Sequence, residues 1–318
     1  MSTLHLVDAE LAPLVSLFPV EELTHANLPK ARSAMEERMA AFPPPPIEPV
    51  CHLAAGRDGS PEVPVLVFKP EGNRLRPAIL HIHGGGMVLG SAHSMRRGPS
   101  HCAAHHDIVV VSVDYRLAPE TAFPGPQEDC YAALAWLFAQ AEALGVDPAR
   151  IAVMGESAGG GLAAALAQMV RDRGEYSLCA QILVYPMLDY RTGGPDDQYS
   201  NPYVGEFVWT REKNQFGWSC LRGDYAPGDE RSGWFSPSLA TDLSCLPATF
   251  ITTGTLDLFF DECTDYAQRL CRAGVATELH SYAGAFHGFN VFAETGVAKA
   301  FAGSLNLAIA RLLGAKPL

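Results

Sequence analysis

From Pro77 onward the apolar residues come in short dense runs: Ala78 to His83, Ile108 to Tyr115, Arg150 to Met154, Gln181 to Tyr185 and Thr249 to Thr253. Between them lie Tyr131 to Leu144, Leu162 to Arg173 and Cys263 to Ala273, whose apolar residues return at helical spacing. Runs without polar alternation suit strands covered on both faces, and strands alternating with helices specify a mostly parallel sheet between two helical layers. The pattern predicts an α/β fold. A last strand near Glu278 to Tyr282 feeds a closing helix, Gly296 to Leu313.

The flanking stretches read differently. Leu11 to Ala41 shows helical spacing (Leu11, Leu14, Val15, then Ala31, Met35, Met39) and ends at Phe42-Pro43-Pro44-Pro45-Pro46, an extended joint because proline cannot continue a helix. Val50 to Leu53 and Val63 to Phe68 alternate around Gly56, Gly59 and Pro61, which predicts a hairpin at a sheet edge. Asp189 to Ser238 is rich in Gly, Pro and aromatic residues and too long for an ordinary connection. It reads either as a surface excursion or, with the N-terminal helices, as a cap over the strand ends where open sheets bind ligands. The expected organisation is N-terminal cap helices over residues 1–45, a catalytic domain over 46–188 and 239–318, and a cap insertion over 189–238.

The sharpest feature is Gly155-Glu156-Ser157-Ala158-Gly159, where a strand stops and the helix former run Leu162 to Ala167 begins. A turn this tight strains the serine backbone and needs small neighbours, so the hydroxyl stands out at the start of the helix. A serine there could also be only a helix cap. As a nucleophile it needs a base and a group to orient the base. His287 follows the last predicted strand, and Asp257 follows Thr249 to Thr253, giving the order Ser157, Asp257, His287. The competing acids Asp261 and Glu262 fall inside the next helix and point away from a strand-end site. A developing oxyanion needs rigid donors, and Gly84, Gly85 and Gly86 let backbone N–H groups approach a ligand, with the Ala158 amide as partner. His83 reads as an orienting loop residue rather than a base.

Composition narrows the function. Of 318 residues 48% are hydrophobic and 18% charged, enough for one large core. A formal net charge of −12, without Lys/Arg clusters, disfavours nucleic acid or an anionic membrane as partner. Asp8 and Glu10 stand where a secretory signal is cationic, and no apolar run approaches bilayer length, so the expected location is cytoplasmic. The eight cysteines are scattered, which predicts buried reduced thiols. His101, Cys102, His105 and His106 lack a carboxylate partner for a metal, and no Lys-Ser or Lys-Thr follows Gly155 to Gly161 as a nucleotide loop requires. No metal and no cofactor is expected. A homodimer is one expectation for the assembled protein.

With His83-Gly84-Gly85-Gly86, Gly155-Glu156-Ser157-Ala158-Gly159-Gly160, Asp257, His287-Gly288-Phe289, and Asp114 to Glu120 followed by Phe123-Pro124, the chain resembles the hormone-sensitive-lipase-like bacterial carboxylesterases of the α/β-hydrolase fold. Within them it is similar to the acetylesterases that include heroin esterase, through Thr121 to Pro126 and Asp129 to Leu134. The resemblance spans Pro77 to the C-terminus. It implies a serine esterase acting on a small-molecule ester, an oxyanion hole from the Gly85, Gly86 and Ala158 amides, and the cap described above. Two positions depart from the family: Leu258 stands where proline usually follows the acid, and Met87 where an aromatic residue commonly follows the glycines. Met87, Phe207, Trp209, Phe216 and Trp218 are the candidate pocket residues. An amidase or lactonase on the same residues, or a binding protein on the same scaffold, stays open, although His287 argues against the last.

Overall fold

Eight strands hydrogen-bond into one sheet in the computed structural model, which describes residues 2–18 and 21–315. The strands are β1 (Val50–Ala54), β2 (Val63–Phe68), β3 (Arg76–Ile82), β4 (Val109–Val113), β5 (Val146–Glu156), β6 (Ala180–Val184), β7 (Ala248–Gly254) and β8 (Thr277–Tyr282). Their spatial order is β1-β2-β4-β3-β5-β6-β7-β8, with β1–β2 and β2–β4 antiparallel and every other pair parallel. The predicted hairpin therefore forms one edge. The strands β3, β4 and β6 are buried at every position, as expected of apolar runs between two helical layers.

The helices are α1 (Leu28–Ala40), α2 (Arg97–His106), α3 (Gly125–Ala139), α4 (Ala141–Leu144), α5 (Ala158–Arg173), α6 (Arg211–Arg222), α7 (Ser232–Phe235), α8 (Phe260–Arg272) and α9 (Gly296–Leu313). Helix α5 follows β5 directly and is buried from Ala158 to Val170, which its alanines and glycines permit by letting β5 and β6 come close. The stretch predicted as one helix from Tyr131 to Leu144 starts earlier, at Gly125, and breaks at Gln140.

Two expectations about apolar spacing need correction. Among the described residues upstream of the proline joint only α1 is an α-helix; Leu4–Leu6 and Ala12–Leu17 are 3₁₀ turns. The Leu11/Leu14 spacing of three serves a three-residue turn as well as an α-helix. The closing helix α9 is also long and apolar enough to cross a bilayer by length and composition, with mean hydropathy 1.2. It lies along β5 to β8 and buries Phe301, Ile309 and Leu313 on one face, while Leu307 on the other face is exposed. Of the eight free cysteines, Cys130, Cys220 and Cys263 are buried as expected, but Cys51, Cys245 and Cys271 are exposed.

Residues 185–247, between β6 and β7, contain α6 and α7. They meet the N-terminal residues directly: Ser2 Oγ donates to Glu206 Oε1 at 2.6 Å, and Thr3 donates to Glu206 Oε2 through both its amide and its hydroxyl. Helix α1 is held from the other side. Arg32 donates to Val88 O (2.8 Å), Ala118 O (3.0 Å) and both oxygens of Glu120 (2.8 Å each), and this pairing brings the Glu120 carboxyl down to about 2.

Candidate active site

Ser157 stands between β5 and α5 with φ 57° and ψ −121°, a conformation L-residues avoid unless the surroundings impose it. The constraint comes from backbone packing. A Cβ at Gly155 would collide with Gly159 O, and one at Gly159 with Ile82 O, so only glycines close this elbow. Ser157 N donates to Val184 O (2.9 Å) and Met187 N to Ser157 O (3.0 Å), which ties the turn to the end of β6. Glu156 is fixed as well: His81 Nε2 meets its carboxylate at 2.9 and 3.2 Å, and His81 Nδ1 meets Ser112 Oγ at 3.0 Å.

The structure brings Ser157, His287 and Asp257 into one hydrogen-bonded line. His287 Nδ1 lies 2.8 Å from Asp257 Oδ2, and His287 Nε2 lies 2.9 Å from Ser157 Oγ. A carboxylate only accepts, so Nδ1 carries the proton and Nε2 is left to accept from the serine hydroxyl. Asp257 is fully buried, and its Oδ1 accepts from Phe259 N at 3.0 Å. Aromatic rings pack around His287: Tyr185 at 4.7 Å, Phe259 at 5.2 Å and Trp209 at 6.4 Å between centroids. Tyr185 and Phe259 were not singled out from the sequence, although each lies at or just beyond the carboxyl end of a strand.

The glycine run crosses directly above the serine. A Cβ on Gly84 would stand 2.9 Å from Glu156 O and 3.4 Å from Ser157 Cβ. His83 stacks on Tyr115 with 4.3 Å between centroids, and Tyr115 Oη donates to His83 O at 3.0 Å. Burial pushes the His83 imidazole down to about 4, so it is neutral near pH 7 and serves as a wedge under the loop.

Residues 79–291 match the model of a family described as the alpha/beta hydrolase fold. The carboxylesterase NlhH of Mycobacterium tuberculosis is 34% identical over 298 residues, covering 90% of each chain. The ethyl acetate hydrolase of Pseudomonas putida is 33% identical over 268 residues, with 80% or more of both chains covered: 82% of this one and 82% of that one. Among solved structures, the bacterial heroin esterase superposes with a TM-score of 0.89 at 38% identity, over 98% of this chain and 99% of that one. The chain belongs to the α/β-hydrolase family.

In this α/β hydrolase the first of the two departures from the family motifs has a local explanation, and nothing in the structure explains the second. Leu258, in place of proline, is buried, and a Cβ on Gly205 would stand 2.7 Å from its Cδ1; residues 185–247 thus press the acid loop from above. Gly205 N donates to Leu256 O at 3.2 Å, and Asp257 caps its own turn. Met87 is buried with φ 66° and its carbonyl accepts from Ala118 N at 3.0 Å.

The candidate pocket residues separate into two groups. Trp209 lies against the glycine run, because a Cβ on Gly86 would collide with its indole, and Phe207 packs on Phe286, next to His287, at 5.9 Å. Phe216 and Trp218 point elsewhere. Phe216 packs on His25 at 5.1 Å, and Trp218 turns into the core at 5.3 Å from Phe235. Gly217, between them, is the residue of α6 that faces the site: a Cβ there would stand 2.6 Å from Gly86 O. The sequence signal was a glycine inside a helical stretch, which marks a close approach.

Among the competing acids, Asp261 accepts from Asn201 Nδ2 at 2.8 Å, away from His287. Glu262 is fully buried; its Oε1 accepts from Leu188 N at 2.6 Å, and Thr192 Oγ1 donates to its Oε2. Burial, with Asp189 nearby, raises its carboxyl well above the ordinary 4.5. The folded state then holds a proton that the unfolded chain loses above that pH, so Glu262 costs stability as pH rises from 4.5 toward the raised value. In Glu262→Gln the amide oxygen still accepts from Leu188 N, and the Thr192 hydroxyl turns to accept from the amide NH₂. Its urea midpoint should equal the parent's at acid pH and exceed it increasingly toward neutral pH; a variant less stable near neutral pH would show that Glu262 is ionised.

Proposed function

We propose that this α/β hydrolase is a serine carboxylesterase that hydrolyses short-chain acyl esters through an acyl-enzyme. The observation that carries the reading is the Ser157–His287–Asp257 line, set at the carboxyl ends of β5, β7 and β8 in a chain whose relatives include a carboxylesterase, an ethyl acetate hydrolase and a heroin esterase. Ser157 Oγ attacks the ester carbonyl carbon while His287 Nε2 takes its proton. The amides of Gly85, Gly86 and Ala158, with Gly84 starting the turn, receive the oxyanion. As the tetrahedral intermediate collapses, His287 returns the proton to the leaving alkoxide; water then repeats the sequence on the acyl-serine.

The N-terminal residues with 189–238 serve as the cap, and Trp209 and Phe207 bound the acyl pocket beside His287. Each methylene that fits gains on the order of 0.8 kcal/mol from burial, until the rings exclude the chain. The kcat/KM across p-nitrophenyl acetate to palmitate should peak between about C2 and C6, and Trp209→Ala should move the peak to longer chains. An optimum at C12 or longer in the parent protein would defeat the closed-pocket reading. The same ester panel, run with and without a fluorophosphonate and followed by mass spectrometry of the labelled peptide, tests the reaction class. Label on any residue other than Ser157 would refute the nucleophile.

A further inference from the structure

The Trp209 indole lies across Gly86, and a buried polar run holds it there. Trp209 Nε1 donates to Asn214 Oδ1 at 3.1 Å, and Asn214 Nδ2 donates to Thr192 O at 2.8 Å. Thr192 Oγ1 in turn donates to Glu262, which accepts from Leu188 N with its other oxygen. Asn214 and Glu262 are fully buried and Thr192 nearly so. The run therefore passes from α8, beside the sheet, through the insertion to a ring that touches the glycine run.

An amide with no solvent contact is costly unless both its ends are bonded, and in volume a leucine would fill position 214 as well. What Asn214 adds is direction. Its oxygen fixes which edge of the indole faces α6, and its nitrogen is anchored to a backbone carbonyl. Gly217 brings α6 close to Gly86, against which the indole lies, and the hydrogen bond sets which edge of the ring faces α6.

We propose that Asn214 is a specificity-determining positioning residue: by fixing the Trp209 indole across Gly86, it sets the acyl length that the site admits. The proposal rests on the serine-esterase reading given above. Without the acceptor the ring loses its fixed orientation and the pocket lengthens, so longer acyl chains gain relative to acetyl.

The test is kcat/KM for p-nitrophenyl acetate and hexanoate in the parent, Asn214→Leu, Asn214→Ala, Trp209→Phe and the Trp209→Phe/Asn214→Leu double variant, each with a urea midpoint. The hexanoate-to-acetate ratio should rise roughly fivefold in Asn214→Leu and in Asn214→Ala, the effect of one buried hydrogen bond. In the Trp209→Phe background, which lacks the indole N–H, Asn214→Leu should leave the ratio unchanged. Equal loss for both esters with a lowered midpoint would make Asn214 merely structural and overturn the proposal, as would additive effects in the double variant. If the leucine variant fails to fold, an unmoved ratio in Asn214→Ala overturns it instead. A parent inactive on both esters sinks the underlying reading and this proposal with it, whereas an active parent with unmoved ratios sinks this proposal alone.

Discussion

Ser157→Ala should lose about 10⁴-fold or more in kcat on p-nitrophenyl acetate, with little change in fold or in KM. The elbow is held by backbone contacts, Ser157 N to Val184 O and Met187 N to Ser157 O, which alanine preserves. The side chain makes its hydrogen bond to His287 Nε2, so its loss removes the reacting group and leaves the scaffold. The measurement is steady-state kinetics on the purified variant beside its circular dichroism spectrum. Turnover near the parent's would mean that another group attacks the ester.

Asp257→Asn should reduce kcat by up to about 10⁴-fold through the proton inventory of His287. An amide placed with its oxygen toward Phe259 N, where Oδ1 now accepts, presents NH₂ to His287 Nδ1. That nitrogen must then accept, the proton moves to Nε2, and the imidazole can no longer take the serine proton. Asp261→Asn, whose carboxylate meets Asn201, is the control and should keep parental kcat. The larger defect appearing at Asp261 would transfer the role to that residue.

What the sequence disclosed and what it hid follow from different physics. The β5–Ser157–α5 elbow was legible because strand, glycines and helix each impose a local pattern, and the order of Ser157, Asp257 and His287 placed the other two at strand ends. The insertion was legible as a segment, but its inner contacts were not. Helix α6 buries Lys213 and Asn214 ahead of Trp218 and Leu221, so polar residues open its inner face and blur the apolar rhythm. The aromatic residues drew attention to Phe216 and Trp218, whereas the contact with the glycine run is made by Gly217, which has no side chain to notice. Glu262 reads as an ordinary acid in the first turn of a helix, since nothing local reveals that Thr192 and Leu188 close over it. The chemistry was written in short range, and its surroundings in long range.

The attachment of the first forty residues has a consequence for how the chain is made. Asp8 N donates to Gly284 O, Thr3 to Glu206, and Arg32 to Val88, Ala118 and Glu120. The segment from Thr3 to Glu10 leaves the ribosome before the sheet does, yet it has a partner as late as Gly296, whose amide donates to Glu10. Throughout synthesis it must wait beside a sheet that is still assembling, and docking it is a late, long-range step. Changes to Thr3–Glu10 therefore act on the last stage of maturation, whereas the seat of Arg32, whose partners end at Glu120, can fill much earlier.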